Sequence, residues 1–413
     1  MKTVKQDKEF YAILKAEEKF QRETIRLIPS ENFASSAVMQ ALGTVFTNKY
    51  AEGEPGRRYY QGNDNIDKVE LLAVKRAKKL FGLDDTWHVN VKALSAGIAN
   101  FCVLNALLQP GQKIMAMNLP DGGHLSHGWD YKGKAVTIGS RMFTTVRYHV
   151  NEQTKVFDYD EIEKMAVKEK PQLIISGGTA YPREINYKRM GQIAKKVGAY
   201  YMADIAHEAG LVAAGALSSP FAFADVVTMS TQKTLRGPRA SMIICKQELA
   251  QRIDRAIFPG LQGGPFINNI AALAVALKEA QGADFKKYAL QTIKNAKAFA
   301  AALKGYGFDI VSGGADKHLV LIDLRNKHID GDSAAKLLEK TYIITNKNTV
   351  PYDTGSPMKP SGLRVGTPAM TTRGFKERDF EKIAGFIDDV ITQKTPPELI
   401  KRAVLMMLKK FNM

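Results

Sequence analysis

The sequence predicts an α/β protein, with a large domain built on a mostly parallel β-sheet and a smaller C-terminal α/β domain. The chain has 413 residues, which exceeds the size at which a single hydrophobic core stops growing. Through its middle, short runs that favour β-strands alternate with helical patterns, as in sheets whose parallel strands are joined by helices. The pattern changes after about residue 285, where a second unit is predicted.

The predicted boundaries place an N-terminal arm at residues 1–30, the large domain at 31–284 and the small domain at 285–413. Early in the large domain, one helix is predicted from apolar residues that recur on a single face. These residues are Val69, Leu72, Ala73, Ala77 and Leu80.

The clearest unit of the large domain is a strand, a capped helix and a second strand. The run PQLIIS predicts the first strand, Asn186 begins the helix, and Gly198 ends it before the run AYYMADIA. Further strands are predicted from KIMAMN, TTVRYHV, DVVTMS and ASMIICK.

The small domain is predicted from a similar mixture of patterns. Strand-like runs are HLVLIDLR, YIIT and GLRVG, and DSAAKLLEK is typical of a helix. A last helix has one apolar side, formed by Phe380, Ile383, Ala384, Ile387 and Ile391.

The charge balance indicates an affinity for anions. Lysine and arginine number 59 against 42 acidic residues, a formal net charge of +17. The basic residues are scattered, without an aromatic-interleaved stripe or a nucleic-acid-binding motif, so no dedicated nucleic-acid partner is predicted. Small ligands that carry phosphate or carboxylate groups are the better match.

Several features favour a cytoplasmic protein. No apolar run reaches the ~18 residues that a bilayer span needs, and the N-terminus lacks a signal-peptide pattern. Cys102 and Cys245 lie in apolar segments and are expected to be buried free thiols, which suits a reducing compartment. No His/Cys cluster has metal-ligand spacing, so no metal is predicted.

One lysine and one aspartate stand at or just beyond the ends of predicted strands and are candidates for catalysis. Lys233 follows the strand VVTMS, and desolvating a lysine there costs free energy unless it is paired or neutralised. Asp204 ends an earlier strand, with His207 close behind. A carboxylate in that position can hold a pyridine nitrogen protonated, which makes the ring an electron sink. The alternatives are a surface lysine and a helix-capping aspartate.

Two further segments are suited to binding a flat, phosphorylated ligand. Ser95, Ala96 and Gly97 begin a helix, where free backbone N–H groups can bind phosphate. The loop MNLPDGGHLSHGWD is predicted to expose His124 and His127, and an imidazole can stack on a flat ring. Ordinary structural histidines are the alternative.

Taken with their neighbours, these segments resemble the serine hydroxymethyltransferase family over most of the chain. The matching motifs occur in the family's order: RLIPSENF, TNKYAEGEPGRRYY, MNLPDGGHLSHG, TAYPREI, ADIAHEAGLVAAG, TQKTLRGPR, FPGLQGGP, NKNTVP and GLRVGTPAMTTRGF. The resemblance implies the aspartate-aminotransferase-like fold (fold type I of the pyridoxal-phosphate enzymes). It also implies that two identical subunits share their active sites. Whether the assembly is a dimer or a tetramer is left open.

The resemblance implies roles around pyridoxal 5'-phosphate. Lys233 matches the lysine that carries the cofactor covalently, Asp204 the partner of the pyridine nitrogen, and His124 the histidine stacked on the ring. Thr179 matches a hydroxyl residue near the phenolic oxygen. The remaining cofactor-binding positions are Ser95, Ala96, Gly97, His207, Ser230, Gln232 and Gly264.

The substrate positions are implied in the same way. Arg364 matches the arginine that binds the substrate carboxylate, for which its planar fork is suited. Glu52 matches the carboxylate near the substrate hydroxyl and the folate, and with Tyr60 it joins Lys233, Asp204 and His124 as catalytic. The amino acid is also contacted by Ser30, Tyr50, Glu52 and Tyr60, and the folate by Glu52, Leu119, Gly123 and Asn348. The neighbouring subunit would supply Tyr50, Glu52, Tyr60 and Gly264.

The implied activity is the reversible transfer of the hydroxymethyl group of L-serine to tetrahydrofolate, giving glycine and 5,10-methylenetetrahydrofolate. This is a transferase reaction of one-carbon metabolism and amino-acid biosynthesis. One alternative is a folate-independent β-hydroxy amino-acid aldolase or transaldolase on the same scaffold. Another is a basic RNA-binding protein without catalysis, against which the complete set of Lys233, Asp204, His124 and Arg364 argues.

Two departures from the family's pattern concern the cofactor phosphate. Gln232 stands where the family has histidine, and Ser95-Ala96-Gly97-Ile98 replaces a stretch with one more hydroxyl. Weaker cofactor retention is expected, because a charge-assisted hydrogen bond contributes about 1.5–3 kcal/mol.

Overall fold

The structure, a computed structural model, describes residues 4–411. It divides into two compact units. The larger is Asn32–Gln291, and the smaller consists of the described parts of Met1–Glu31 and Thr292–Met413. The domain boundaries expected from the sequence stay a prediction.

The α-helices of the described residues are labelled in chain order. They are α1 (Lys8–Glu23), α2 (Ser36–Leu42), α3 (Asp64–Phe81), α4 (Ala96–Leu107), α5 (Ile138–Met142), α6 (Tyr159–Glu169), α7 (Tyr187–Val197), α8 (Ala209–Ala213), α9 (Ala250–Arg255), α10 (Ile267–Glu279), α11 (Ala283–Gly305), α12 (Gly331–Lys340), α13 (Pro368–Thr372), α14 (Glu377–Ile391) and α15 (Pro397–Leu408). None of these helices combines the length and the apolar character that a bilayer span requires.

The β-strands of the same residues are labelled likewise. They are β1 (Ile25–Arg26), β2 (Gly53–Glu54), β3 (Arg57–Arg58), β4 (Trp87–Asn90), β5 (Lys113–Met117), β6 (Asp130–Tyr131), β7 (Lys134–Ala135), β8 (Thr144–Tyr148), β9 (Leu173–Ser176), β10 (Tyr200–Asp204), β11 (Val226–Ser230), β12 (Ser241–Lys246), β13 (Asp309–Ile310), β14 (Leu319–Asp323), β15 (Ile343–Ile344), β16 (Asn346–Asn348) and β17 (Gly362–Gly366).

The larger unit is built on a seven-stranded sheet in the order β4-β12-β11-β10-β9-β5-β8. Its strands pair in parallel, except that β12 runs antiparallel to both β11 and β4. Between β9 and β10, helix α7 is capped as expected: the Asn186 side chain accepts a hydrogen bond from the Arg189 backbone N–H, and Gly198 ends the helix in the left-handed conformation. The predicted α/β fold with a mostly parallel sheet is confirmed.

The core of the larger unit includes helix α4, which is apolar on nearly every side. It packs with sheet residues such as Ile114, Met202 and Val226. Cys102 and Cys245 are both buried and free, as the sequence predicted, and burial raises the pKa of each thiol to about 12.

Helix α3 differs from its prediction in the face that it buries. Leu72 was expected on the apolar face, but its side chain is 39% exposed. The buried positions are Ile66, Glu70, Ala73 and Ala77. Glu70 can be buried because the Arg58 guanidinium donates to its carboxylate at 2.7 Å, which compensates the loss of water.

The smaller unit has a four-stranded antiparallel sheet in the order β13-β14-β17-β16. Near the N-terminus, β1 pairs in parallel with β15, and Ile25 and Leu27 are fully buried in the core of this unit. Helix α14 buries the five residues that the sequence pattern predicted for its apolar side.

Candidate active site

Lys233 lies in a loop that closes on itself directly after strand β11. The Thr231 N–H donates to the Ala240 carbonyl at 3.1 Å, and the Gly237 N–H donates to the Thr231 carbonyl at 2.7 Å. The Asn32 side-chain amide donates to the Lys233 carbonyl at 2.9 Å. The half-buried Lys233 therefore has a backbone fixed on several sides.

Residues on either side of Lys233 bind the turn that follows strand β10. The Thr234 hydroxyl donates to the His207 carbonyl at 2.8 Å, and the Ser230 hydroxyl donates to the Ala206 carbonyl at 3.0 Å. The structure thus brings the lysine loop against the segment that carries the predicted aspartate and histidine.

Asp204, at the end of β10, has a side chain that is hydrogen-bonded on both oxygens. Its Oδ2 accepts from Asn100 Nδ2 at 2.7 Å and lies 2.9 Å from His127 Nε2, while Oδ1 accepts from the Ala206 N–H at 2.9 Å. Burial by itself would raise the pKa of Asp204, but the hydrogen bonds and charge of the facing groups, His127 above all, hold the pKa below its usual range. The carboxylate is therefore ionised at neutral pH.

Asn100 is a residue of this network that the sequence analysis missed, and His127 was considered there only as an exposed loop residue. The prediction that His127 is exposed in a loop was wrong, because the residue is fully buried. Its burial is compensated by the hydrogen bond to Asp204. Asn100 is also fully buried, and its Oδ1 accepts from the Thr228 hydroxyl at 2.6 Å. A signal for Asn100 was available, since it stands among apolar residues in the helix AGIANFCVLNAL, and a buried amide requires a partner.

His124 is connected to the same network through Ser126. Its Nδ1 lies 2.7 Å from the Ser126 hydroxyl, and that hydroxyl accepts from Asn100 Nδ2 at 2.8 Å. The Ser126 backbone N–H also points at Nδ1, at 3.2 Å. Because Nδ1 accepts, the neutral ring carries its proton on Nε2. The ring is half-buried and its orientation is fixed from one edge.

The loop that carries Leu119 and Gly123 is bound to the segment after β9. The Gly122 carbonyl accepts from the Thr179 N–H at 2.6 Å and from the Ala180 N–H at 3.2 Å. Thr179 therefore lies beside the loop that carries the two positions predicted to contact folate.

The start of helix α4 presents backbone donors to open space. The Ser95 side chain caps the helix, and its contact with the Ile98 N–H is long, at 3.5 Å. A Cβ at Gly97 would meet no other atom within 4 Å. The N–H groups of a first helical turn lack partners within the helix and favour an anion.

The groups described above fit pyridoxal phosphate. A buried ionised carboxylate suits a protonated ring nitrogen, and an open helix N-terminus suits a phosphate. Near Lys233, the Gln232 Oε1 is buried without a hydrogen-bond partner, so this amide has unused capacity that a bound group could satisfy.

A second group of predicted residues, the Glu52 cluster, consists of Tyr50, Glu52, Tyr60 and Gly264. The Tyr50 and Tyr60 hydroxyls donate to the two Glu52 oxygens at 3.2 and 3.3 Å, and the rings meet edge to face. A Cβ at Gly264 would lie 3.2 Å from the Tyr50 ring. The negative charge of Glu52 is the main reason that the pKa of Tyr60 is raised. The structure therefore gathers the four residues that were predicted to serve a neighbouring subunit.

Three predicted residues, Arg364, Asn348 and Ser30, belong to the smaller unit. Arg364 is buried in β17, its Nε donates to Asn346 Oδ1 at 3.1 Å, and burial lowers its pKa to about 10, so the guanidinium stays charged at neutral pH. Asn348 pairs with Gly362 of the same sheet.

Ser30 follows a segment that lies along the same strand. The Gly366 N–H at the end of β17 donates to the Leu27 carbonyl at 2.7 Å, three residues before Ser30. Arg364, Asn348 and Ser30 therefore belong to connected parts of the smaller unit.

Similarity to known proteins supports the family resemblance. The family model described as serine hydroxymethyltransferase matches residues 3–387. A protein of Acidobacterium capsulatum named serine hydroxymethyltransferase is 49% identical over 382 residues, an alignment that covers 92% of this chain and 88% of that protein. On its motifs, its fold and these matches, the chain belongs to the serine hydroxymethyltransferase family.

Proposed function

We propose that Lys233, Asp204 and His124 form the cofactor site of an enzyme that reversibly transfers the hydroxymethyl group of L-serine to tetrahydrofolate. The products are glycine and 5,10-methylenetetrahydrofolate. The observation that carries the assignment of residues is the attachment of the Lys233 loop to the turn after an aspartate that the fold keeps ionised.

When bound, pyridoxal phosphate supplies an aldehyde for covalent attachment and a ring that accepts the electron pair of the breaking Cα–Cβ bond. Lys233 supplies the amine for that attachment. Asp204 keeps the ring nitrogen protonated, because its own carboxylate stays ionised. His124, whose orientation is set by Ser126, would stack on the ring, and Thr179 and His207 would contact it.

Backbone N–H groups would hold most of the phosphate. Ser95, Ala96 and Gly97 supply the start of helix α4, and the Ser95 hydroxyl can turn toward the phosphate because its capping bond is long. Ser230 and Gln232 add side-chain groups next to the lysine. Gly264 contributes its backbone from the neighbouring subunit.

A positive charge orients the substrate, and a carboxylate accepts the proton of its hydroxyl group. Arg364 binds the carboxylate with a planar guanidinium, and Ser30 and Tyr50 contact the amino acid. Glu52 holds and returns the proton of the serine hydroxyl, with Tyr60 donating to its carboxylate. Leu119, Gly123 and Asn348 contact the folate.

The active enzyme is proposed to be a cytoplasmic homodimer. Support for shared sites comes from the Glu52 cluster, whose tyrosines are 57% and 45% exposed in the single chain although both are assigned to the substrate site. Support for the compartment comes from the two free thiols, which a reducing environment preserves.

Borohydride reduction of the enzyme loaded with pyridoxal phosphate tests the central assignment. After proteolysis, mass spectrometry is expected to find the added mass on the peptide that contains Lys233, and a Lys233→Ala variant should show none. An adduct on another lysine of the wild-type enzyme would refute the assignment.

A further inference from the structure

Lys92 is a buried lysine with two carboxylates around its ammonium group. Its side chain is 3% exposed, and it lies two residues beyond strand β4. The ammonium binds Glu54 Oε1 and lies 3.8 Å from Glu70 Oε1. A buried ammonium is tolerated only when such partners are in place, so Lys92 fixes the position of Glu54.

Glu54 belongs to the hairpin β2–β3, which begins directly after Glu52. Gly53, between the two glutamates, has φ of +93°, and a Cβ there would lie 2.5 Å from the Arg57 carbonyl. The left-handed backbone at Gly53 allows the glutamates on either side of it to bind different partners: Glu52 binds the two tyrosines and Glu54 binds Lys92. Fixing Glu54 therefore fixes the backbone on one side of Glu52.

Arg58 fixes the same loop from beneath. Its Nη1 donates to the Ala51 and Gly53 carbonyls at 3.2 and 2.7 Å, one on each side of Glu52. Its Nη2 donates to Glu70, the second carboxylate near Lys92. Arg58 and Lys92 thus form one connected network with Glu54 and Glu70 next to the Glu52 segment.

The backbone of Lys92 extends the network to a second segment of the Glu52 cluster. Its carbonyl accepts from Gln262 Nε2 at 2.7 Å, and Gln262 Oε1 accepts from the Leu94 N–H at 3.3 Å. The next residue, Gly263, is so close to Glu52 that a Cβ there would lie 3.1 Å from the Glu52 carboxylate.

We propose that Lys92 is a positioning residue for proton transfer, because it fixes Glu52 through Glu54 on one side and through Gln262 on the other. The inference rests on the proposed role of Glu52. It adds that an ion pair without contact to the reacting groups sets the rate of the step in which Glu52 acts.

A double-mutant cycle on the cofactor-loaded enzyme tests this inference. Lys92→Met is expected to lower kcat for tetrahydrofolate-dependent serine cleavage about 10- to 100-fold, the loss typical of misplacing a catalytic group by about 1 Å. In a Glu52→Gln background the same change should cost less than about twofold, since Lys92 then has no catalytic carboxylate to position. Lys113→Met, which removes another lysine–glutamate pair (Nζ to Glu169 Oε2, 3.0 Å), is the matched control and should leave kcat unchanged.

The outcomes separate the two proposals. A purely structural role for Lys92 would give the same fold loss in both backgrounds and would overturn the inference while leaving Glu52 catalytic. Full activity of Glu52→Gln alone would instead refute the role of Glu52, and the inference with it. If Lys92→Met does not fold, Glu54→Gln carries the test, because Lys92 then keeps Glu70; it should lose about 3- to 10-fold, again only when Glu52 is present.

Discussion

Asp204 and Glu52 are both carboxylates of the candidate site, yet they differ in burial and in hydrogen bonding. Asp204 is 6% exposed and is contacted by three donors at 2.7 to 2.9 Å. Glu52 is contacted by two exposed tyrosine hydroxyls at 3.2 and 3.3 Å. The ionisation of Asp204 is therefore set by the fold alone, whereas the Glu52 cluster remains open to what binds against it.

The difference has a physical cause. A hydrogen bond to a buried charge contributes about 1.5–3 kcal/mol, because losing it leaves that charge without water or partner. A bond to an exposed group is replaced by water when it is lost, so its contribution is smaller. Substitutions around Asp204 should accordingly have larger effects than substitutions around Glu52's tyrosines.

The largest effect is expected from Asp204→Asn, which keeps the shape and removes the charge. We expect kcat to fall about 10²- to 10⁴-fold at saturating pyridoxal phosphate. The substitution removes the ion pair proposed between Asp204 and the protonated ring nitrogen, and disrupting a buried ion pair costs about 3–5 kcal/mol. Steady-state kinetics of serine cleavage with tetrahydrofolate measures the loss.

Asp225→Asn is the matched control for that variant. Asp225 directly precedes β11, at the opposite end of the same sheet, and its Oδ2 accepts from the Tyr201 N–H at 2.8 Å. Its substitution should leave kcat within about twofold, since the bond it loses is structural. Comparable losses in both variants would mean that Asp204 has no special role.

A smaller effect is expected from His127→Phe, which removes one partner of Asp204 and keeps its burial. We expect kcat to fall about 10- to 100-fold, the equivalent of one lost hydrogen bond to a charge. Without His127, burial outweighs the remaining bonds more easily, so the pKa of Asp204 rises from its lowered value. The acid limb of the kcat profile should therefore move to higher pH.

The same lowered pKa determines how the stability of the fold depends on pH. Asp204 stabilises the folded wild type above the ordinary aspartate pKa of about 3.9, and this contribution is lost as the pH falls through the folded value. A folded pKa nearer to 3.9 leaves less of this contribution to lose, so urea unfolding from about pH 5 to about pH 2 should show a smaller fall in stability for His127→Phe than for the wild type. His88→Phe, which removes another histidine–aspartate pair, tests specificity and should leave the acid limb in place. An unmoved acid limb in His127→Phe would refute the role of His127.

The same contrast explains what sequence could predict. Strands and helices such as β10 and α7 are encoded locally, by apolar runs and by the caps Asn186 and Gly198. Asp204 and Lys233 were found because one ends a strand and the other closely follows one, and the resemblance supplied their roles. These features depend on short stretches of chain.

His127, Lys92 and Leu72 show where local patterns fail. The glycine-rich loop around His127 is typical of an exposed turn, and only its pairing with Asp204, 77 residues away, buries it. Lys92 is buried because Glu54 and Glu70 come from two other segments. Leu72 is exposed because α3 instead turns Glu70 inward. Pairing between distant polar groups leaves no periodic signal in the sequence.

The smallest effect is expected from Tyr60→Phe, which removes one of the two donors to Glu52. We expect kcat to fall only about two- to tenfold, because the Tyr60 hydroxyl is exposed and the Tyr50 hydroxyl remains.

Since the charge of Glu52 raises the pKa of Tyr60 above its ordinary 10, the hydroxyl stays protonated well into the alkaline range. The ratio of wild-type to variant kcat should therefore be constant from pH 7 to pH 9, about the range in which an unperturbed tyrosine stays protonated. Tyr131→Phe, at another exposed tyrosine, should leave kcat unchanged. A ratio that declines toward one by pH 9 would show that Tyr60 loses its proton below its ordinary pKa, which contradicts the raised pKa that an ionised Glu52 imposes.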